Sequence, residues 1–138
     1  MEIRYKKLSE NAKEPTKAHE SDAGFDLYCT RYGYDGDCWV FHSDVAFEIP
    51  EGYMGLVFPR SSIADTAMIL SNGVGVIDSG YRNEITAKFR VLNNNRVYRE
   101  GERFAQLVIV PYPKIELKES AELSDTDRGF GGYGSSGR

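Results

Sequence analysis

Cysteine is scarce in this 138-residue chain: Cys29 and Cys38 are the only two, with neither metal-ligand spacing nor a secretory context. They read as reduced thiols of a cytoplasmic protein rather than as a disulfide or a zinc knuckle. A Cys/His nucleophile built with His19 or His42 is set aside. The N-terminus, MEIRYKKLSEN, has no apolar core of signal-peptide length. No stretch approaches the roughly 20 apolar residues of a membrane span, so no membrane partner is expected. Positive charge is also short: 17 Lys and Arg against 21 Asp and Glu leave a net charge of −4. That balance argues against a nucleic-acid partner, and it requires any anionic ligand to be held by locally focused positive charge or a bound cation. Nucleotide loops are missing as well. Gly73 to Asp78, GVGVID, carries two of the three glycines of a dinucleotide fingerprint with no helix of useful length after it, and no GxxxxGK[ST] loop occurs.

What is present is an ordinary globular composition, 41% hydrophobic and 28% charged, long enough for one domain with its own core. The patterning is mostly of period two. Ile85, Ala87, Phe89 and Val91 alternate with Thr86, Lys88 and Arg90, and Val45, Phe47 and Ile49 with Ala46 and Glu48. Tyr53 to Phe58 and Phe104 to Val110 fit strands covered on both faces, and Ile115 with Leu117 marks another after Pro111 and Pro113. Turn residues recur every eight to twelve positions, at Pro50-Glu51-Gly52, Asn72-Gly73, Ser79-Gly80, Asn93 to Asn95 and Glu100-Gly101. This spacing predicts an all-β sandwich or barrel. One short helix is expected over Ser62 to Leu70, with Ser61 or Ser62 as N-cap. Residues 1–119 read as the β-sandwich body, and residues 120–138 as a flexible, glycine-rich arm.

The arm ends in RGFGGYGSSGR, Arg128 to Arg138, five of whose eleven residues are Gly. It is either a disordered terminus or a segment that orders on a phosphorylated ring compound, with Arg128 for charge, Tyr133 for stacking and unhindered backbone N–H groups. Eleven extended residues reach roughly 36 Å, enough to cross onto a neighbouring subunit. Asp78, on a turn beside Tyr81, either caps that turn or orients a water. Arg60-Ser61-Ser62 is either a capped helix start or an oxyanion cradle. Asp26, inside AGFDLYC, is either a hydrogen-bonded turn residue or a carboxylate for a hydrated divalent cation. Gln106 is expected to face inward and to need a partner, either backbone or ligand.

In order, AGFDLYC, PRSSIA, NGVGVIDSGYRNEI, GERFAQL and RGFGGYGSSG resemble the five motifs of the trimeric deoxyuridine triphosphate nucleotidohydrolases, the dUTPases, over residues 23 to 137. The resemblance implies a jelly-roll-like β-sandwich, a homotrimer with shared active sites, and Mg2+-dependent hydrolysis of dUTP to dUMP and pyrophosphate. Such an enzyme keeps uracil out of DNA and supplies dUMP for thymidylate synthesis, in the cytoplasm or in that of a host if the source is a phage or virus.

By matching position, Asp78 becomes the base that activates the water attacking the α-phosphorus, and Tyr81 packs on the deoxyribose. Asn72 and the backbone of Gly75, Val76 and Ile77, in a hairpin from Asn72 to Asp78, meet the uracil edge. Arg60, Ser61, Ser62 and Gln106 hold the phosphate chain, and Asp26 binds Mg2+ through a water. Arg128, Gly134, Ser135 and Ser136 close on the γ end while Tyr133 stacks over uracil. Four positions depart from the family pattern: Ser62 and Asn83 stand for the usual Gly, Tyr133 for Phe, and Ser136 for Thr. Residues 28–43 do not follow the family pattern closely, and no role is assigned there. Two rivals share the scaffold, a dCTP deaminase and a non-catalytic protein-binding module.

Overall fold

The computed structural model describes residues 1–92, 96–135 and 137. The expected turn at Asn93 to Asn95, and Ser136, lie outside the described residues. Ten strands form: β1 Arg4–Lys7, β2 Gly24–Tyr28, β3 Arg31–Tyr34, β4 Trp39–His42, β5 Val45–Glu48, β6 Tyr53–Phe58, β7 Met68–Leu70, β8 Gly75–Ile77, β9 Thr86–Val91 and β10 Arg103–Pro111. All ladders are antiparallel. One four-stranded sheet runs β2-β10-β6-β8, a second β3-β4-β9-β7, and β1 pairs with β5. The all-β jelly-roll fold expected from the patterning is the one observed. None of the helices among the described residues is long and apolar enough to cross a membrane.

Alternation works where one face is buried. In β9, Ala87 and Phe89 are buried between exposed Thr86, Lys88 and Arg90. Phe41 of β4 lies edge-on to Phe89 at 5.3 Å and also meets Phe104 of β10 at 5.8 Å, so aromatic rings join the two four-stranded sheets. β10 breaks alternation in an informative way. Its register on β2 shifts between Arg103 and Ala105, and the extra residue lets consecutive Phe104 and Ala105 both point inward.

Three expectations are corrected. The helix over Ser62 to Leu70 is only a 3-10 segment, Ser61–Asp65, and Met68–Leu70 is strand β7. Thr66 ends the helix. Its hydroxyl donates to the Ile63 carbonyl at 2.7 Å and accepts the Met68 N–H at 3.2 Å, a local alternative to helical bonding. Nor does Ser61 or Ser62 cap it; Arg60 occupies the cap position and makes no side-chain cap bond. No strand forms at Ile115 and Leu117, which are exposed. β10 stops at Pro111, and a second proline, Pro113, withholds another ladder donor.

Within residues 28–43, Tyr28 ends β2 and Arg31 to His42 fold as the β3–β4 hairpin, on which Tyr32 stacks on Phe41 at 5.0 Å. Its turn is closed by Asp35, whose Oδ1 accepts the N–H groups of Asp37 and Cys38. Both cysteines are buried and free. Burial pushes the Cys29 thiol up to about 12, and the two Sγ atoms bond Arg31 O and Ser71 Oγ rather than a histidine. Neither is a nucleophile.

Candidate active site

The expected hairpin from Asn72 to Asp78 holds one strand, β8, and β7 before it is an edge strand of the other four-stranded sheet. The chain between them crosses from one sheet to the other, and a cleft of about 440 Å³ opens at that crossing. Gly73, at φ 69°, turns the chain, its N–H bonding Leu70 O at 3.1 Å. Gly75 must stay small: a Cβ there would lie 3.3 Å from Val57 Cβ and 3.6 Å from Asn72 Nδ2. The Asn72 amide therefore lies over the backbone of β8. Asn72, Gly75, Val76, Ile77, Asp78 and Tyr81 all line this cleft, with Leu70, Val57 and Ala87 as its apolar floor.

Asp78 is exposed on the cleft. The turn after it is closed by its backbone carbonyl, which accepts the Tyr81 N–H at 3.0 Å. Its carboxylate makes no hydrogen bond or ion pair among the described residues, so the capping role is not the one observed. The Tyr81 hydroxyl donates to Glu84 O at 3.0 Å, which fixes the ring at the cleft edge. Asn83 does not use left-handed backbone; among described non-glycine residues only Asp44 and Tyr133 do. Asn in place of the usual Gly therefore adds no strain.

A second cluster lines a different cleft, of about 300 Å³, with Arg60, Ser62, Tyr98 and Arg103 in its wall. Asp26 is buried on β2 and accepts Arg60 Nε at 2.6 Å on one oxygen and Arg103 Nη1 at 3.2 Å on the other. It is a strand residue, not a turn residue; its backbone is bridged to Thr16. Ser62 Oγ lies 2.9 Å from the Tyr98 hydroxyl and 3.4 Å from Arg60 Nη1. Ser61 opens the 3-10 segment and is exposed. Gln106 is half-buried, not fully inward, and finds its partner in the backbone, donating to Pro59 O at 3.0 Å. Arg103 and Tyr98 were not anticipated. Arg103 stands within GERFAQL, but its reach to Asp26 depends on the β2–β10 register, which no local pattern announces.

No described residue of the arm lines either cleft. Residues 112–130 are exposed, and the last described ones form successive reverse turns. Arg128 Nε bonds Gly131 O at 2.9 Å, the Ser135 N–H bonds Gly132 O at 3.0 Å, and Tyr133 and Gly134 both have positive φ. The Tyr133 ring is fully exposed.

No group of three or more His, Cys, Asp or Glu among the described residues is placed to cage a metal. One carboxylate beside a phosphate-sized basic cleft suits Mg2+ instead. That ion keeps its waters and is commonly held by one or two carboxylates together with substrate phosphates.

A dUTPase family model matches residues 10–137. The chain belongs to the dUTPase family. A deoxyuridine 5'-triphosphate nucleotidohydrolase of Hydrogenobaculum sp. is 39% identical over 99% of both chains. The dUTPase of Staphylococcus bacteriophage 80alpha, solved with dUPNHPP, superposes with a TM-score of 0.86 at 31% identity, covering 99% of each chain. The dUTPase of S. aureus phage phi11, described with a coordinated structural Mg(II) ion, superposes at 0.75 with 30% identity, over 88% of this chain and 98% of that one. Membership sets the dCTP deaminase alternative aside.

Proposed function

We propose that this dUTP-hydrolysing enzyme converts dUTP to dUMP and pyrophosphate by attack of an Asp78-activated water on the α-phosphorus. The observation that carries the reading is the unpartnered Asp78 carboxylate on a cleft with Asn72, Tyr81 and the edge of β8. An edge strand leaves backbone N–H and C=O groups without a sheet partner, and a uracil edge bonding to them, with Asn72, is read by donors and acceptors. A cytosine leaves some of those groups unpaired, which discriminates by about 10⁴. Tyr81 packs on the deoxyribose and leaves no space for a 2′-hydroxyl.

The phosphate chain lies along Arg60, Ser61, Ser62 and Gln106, with Asp26 holding Mg2+ through a water. That cation, when bound, neutralises phosphate charge and orients the chain. Asp78 takes the proton of the attacking water. Arg128, Gly134, Ser135 and Ser136 cover the γ end, and Tyr133 stacks on uracil, so the arm excludes other water.

Among the described residues, the nucleoside-side cleft and the basic cleft have no lining residue in common, and none of the arm lines either. This separation supports sites shared among the subunits of a homotrimer, with the 120–138 arm of one closing a site built by others. The enzyme acts on the free nucleotide pool of the cytoplasm, removing dUTP before it is built into DNA and supplying dUMP for thymidylate synthesis.

Pyrophosphate release across the deoxynucleoside triphosphates, with and without Mg2+, tests the reading. Release from dUTP alone, dependent on Mg2+, is expected; equal release from dCTP or dTTP overturns it. Mixing Asp78→Asn protein with protein lacking residues 128–138 tests subunit sharing. Activity regained in the mixture is expected, and a strictly inactive mixture of trimers that do exchange subunits refutes it.

A further inference from the structure

The loop that carries Asp78 and Tyr81 ends at Glu84, whose carboxylate joins elements remote in sequence. Oε1 accepts the backbone N–H of Asp44 at 2.8 Å, while Oε2 lies 2.9 Å from His42 Nδ1 and 3.5 Å from Arg31 Nη2. The Glu84 side chain is only 18% exposed, so these bonds form with little water to compete. Asp44 is itself held in left-handed backbone, at φ 52°. That conformation costs an L-residue on the order of 1 kcal/mol and persists only where neighbours over-determine it. Here they do. The Asp44 carbonyl accepts Leu8 N–H at 2.8 Å, and its carboxylate holds the Ser9 hydroxyl at 2.7 Å and the Arg31 guanidinium. The strained turn aims one N–H at Glu84.

The loop is otherwise bonded mostly to itself. Tyr81 N–H reaches Asp78 O at 3.0 Å, and the Arg82 guanidinium reaches Ser79 O at 2.5 Å. Its first end is tied by β8 to β6, and its second by the Ile85 backbone, which donates to Val45 O at 2.9 Å and accepts the Ser43 hydroxyl at 2.6 Å, together with the Glu84 side chain on His42 and Asp44. The Glu84 carbonyl is also the acceptor of the Tyr81 hydroxyl. One residue thus anchors the loop through its side chain and orients the ring through its backbone.

We infer that Glu84 is a positioning residue that sets the Tyr81 ring and, through it, the preference for deoxyribose over ribose. The inference rests on the proposed role of Tyr81 against the sugar. Glu84 touches no reacting atom, and its effect is carried by geometry: a ring displaced by about 1 Å makes room for a 2′-hydroxyl and loses its contact with deoxyribose. Residues 31–44 thereby gain a task, since Arg31, His42 and Asp44 grip the loop from behind.

The experiment measures kcat/KM for dUTP and for UTP, with thermal unfolding alongside, at a temperature well below every midpoint. Glu84→Ala is expected to lower the dUTP:UTP preference about tenfold. Glu84→Gln keeps an oxygen for the Asp44 N–H and is expected to stay within about threefold of the parent. Tyr81→Ala is the control. An unchanged preference in Tyr81→Ala overturns the reading of Tyr81 and this inference with it. A collapse in Tyr81→Ala alongside an unchanged preference in Glu84→Ala overturns the inference alone, leaving Glu84 a purely structural residue. Should Glu84→Ala not fold, the milder Arg31→Met/His42→Gln pair strips the partners of Oε2. A preference lowered about threefold in that folded protein supports the inference, and an unchanged one overturns it.

Discussion

The two clefts are built on opposite principles. In the nucleoside-side cleft the backbone does the positioning: an edge strand, a sheet-to-sheet crossing and a glycine that admits close approach leave Asp78 without an ion-pair partner among the described residues. In the basic cleft side chains position one another, with Asp26 accepting both Arg60 and Arg103 and Ser62 joined to Tyr98. The difference fits the role proposed for each. A proton acceptor must keep its lone pairs free for water, whereas guanidinium groups that grip a flexible polyphosphate gain from being fixed beforehand. Removing a group from the first should therefore cost turnover, and from the second stability and binding together.

Asp78→Asn breaks the comparison most sharply. It preserves shape and removes the base, so kcat should fall by about 10³ or more, while affinity for a non-hydrolysable dUTP analogue stays within about threefold. Isothermal titration and pyrophosphate release measure the two halves. A parallel loss of affinity and turnover would show that Asp78 also holds substrate.

Deleting residues 128–138 should lower kcat/KM by about 10², the scale of losing one well-placed group on developing charge. The unfolding midpoint should stay put, because both aromatic rings of that segment, Phe130 and Tyr133, are fully exposed. A truncated enzyme of full activity sinks the covering role; a midpoint lowered by many degrees makes the arm part of the body.

How much of this was legible beforehand depended on how local the cause was. β9 follows from alternation because one neighbour, water or core, decides each residue's side, and β10 follows from its apolar run. The expected helix failed because Ile63, Ala67 and Leu70 sit at helical spacing, while the Thr66 hydroxyl and the buried-exposed-buried triplet of β7 favour extended chain. The β3–β4 hairpin was unreadable in a stretch whose Asp and Gly residues interrupt its aromatics. Of the site, Asn72, Asp78 and Tyr81 come from one continuous segment and could be read together. The Asp26–Arg103 pair and the Glu84 anchor join residues 77 and 40 positions apart, and only the folded register brings them into reach.

Asp26→Asn tests the basic cleft. Breaking a buried ion pair leaves its partners' charge uncompensated, at a cost of several kcal/mol when both are fully buried. The Arg60 and Arg103 side chains are 23% and 42% exposed, so about 2 kcal/mol is expected here. Urea unfolding should show it, with KM for dUTP raised in the same variant. Unchanged stability would mean that water already screens the pair.

Acid probes the frame behind the nucleoside-side cleft. Burial pushes the Asp44 carboxyl up, but hydrogen bonds from Ser9 and Arg31 outweigh it and hold the group at about 2, below its usual 3.8. A depressed value stabilises the fold above the unfolded pKa, and the stabilisation is lost as pH falls from about 4 through about 2. The loss is on the order of 2 kcal/mol. Urea midpoints compared between pH 5 and pH 2.5 should show a smaller drop in Asp44→Asn than in the parent. Equal drops would move the acid sensitivity to other carboxylates.

Ser62→Gly restores the family's usual residue and should have the smallest effect. It removes one hydroxyl pair with Tyr98, a net contribution of about 1 kcal/mol at most. Glycine also raises the entropy of the unfolded chain, which destabilises by a few tenths more. Tyr98 is not stranded, because its hydroxyl stands in the wall of the basic cleft, where water can replace Ser62. Ser62 also lies 3.4 Å from Arg60 Nη1, a weak contact beside the 2.6 Å bond that Arg60 Nε donates to Asp26, which already fixes the guanidinium. Binding of inorganic pyrophosphate should therefore change less than threefold. A small change would leave the proposed hold on the phosphate chain at this position to the Ser62 backbone, a larger loss would assign it to the hydroxyl, and a gain of tenfold would mean that the serine side chain obstructs it.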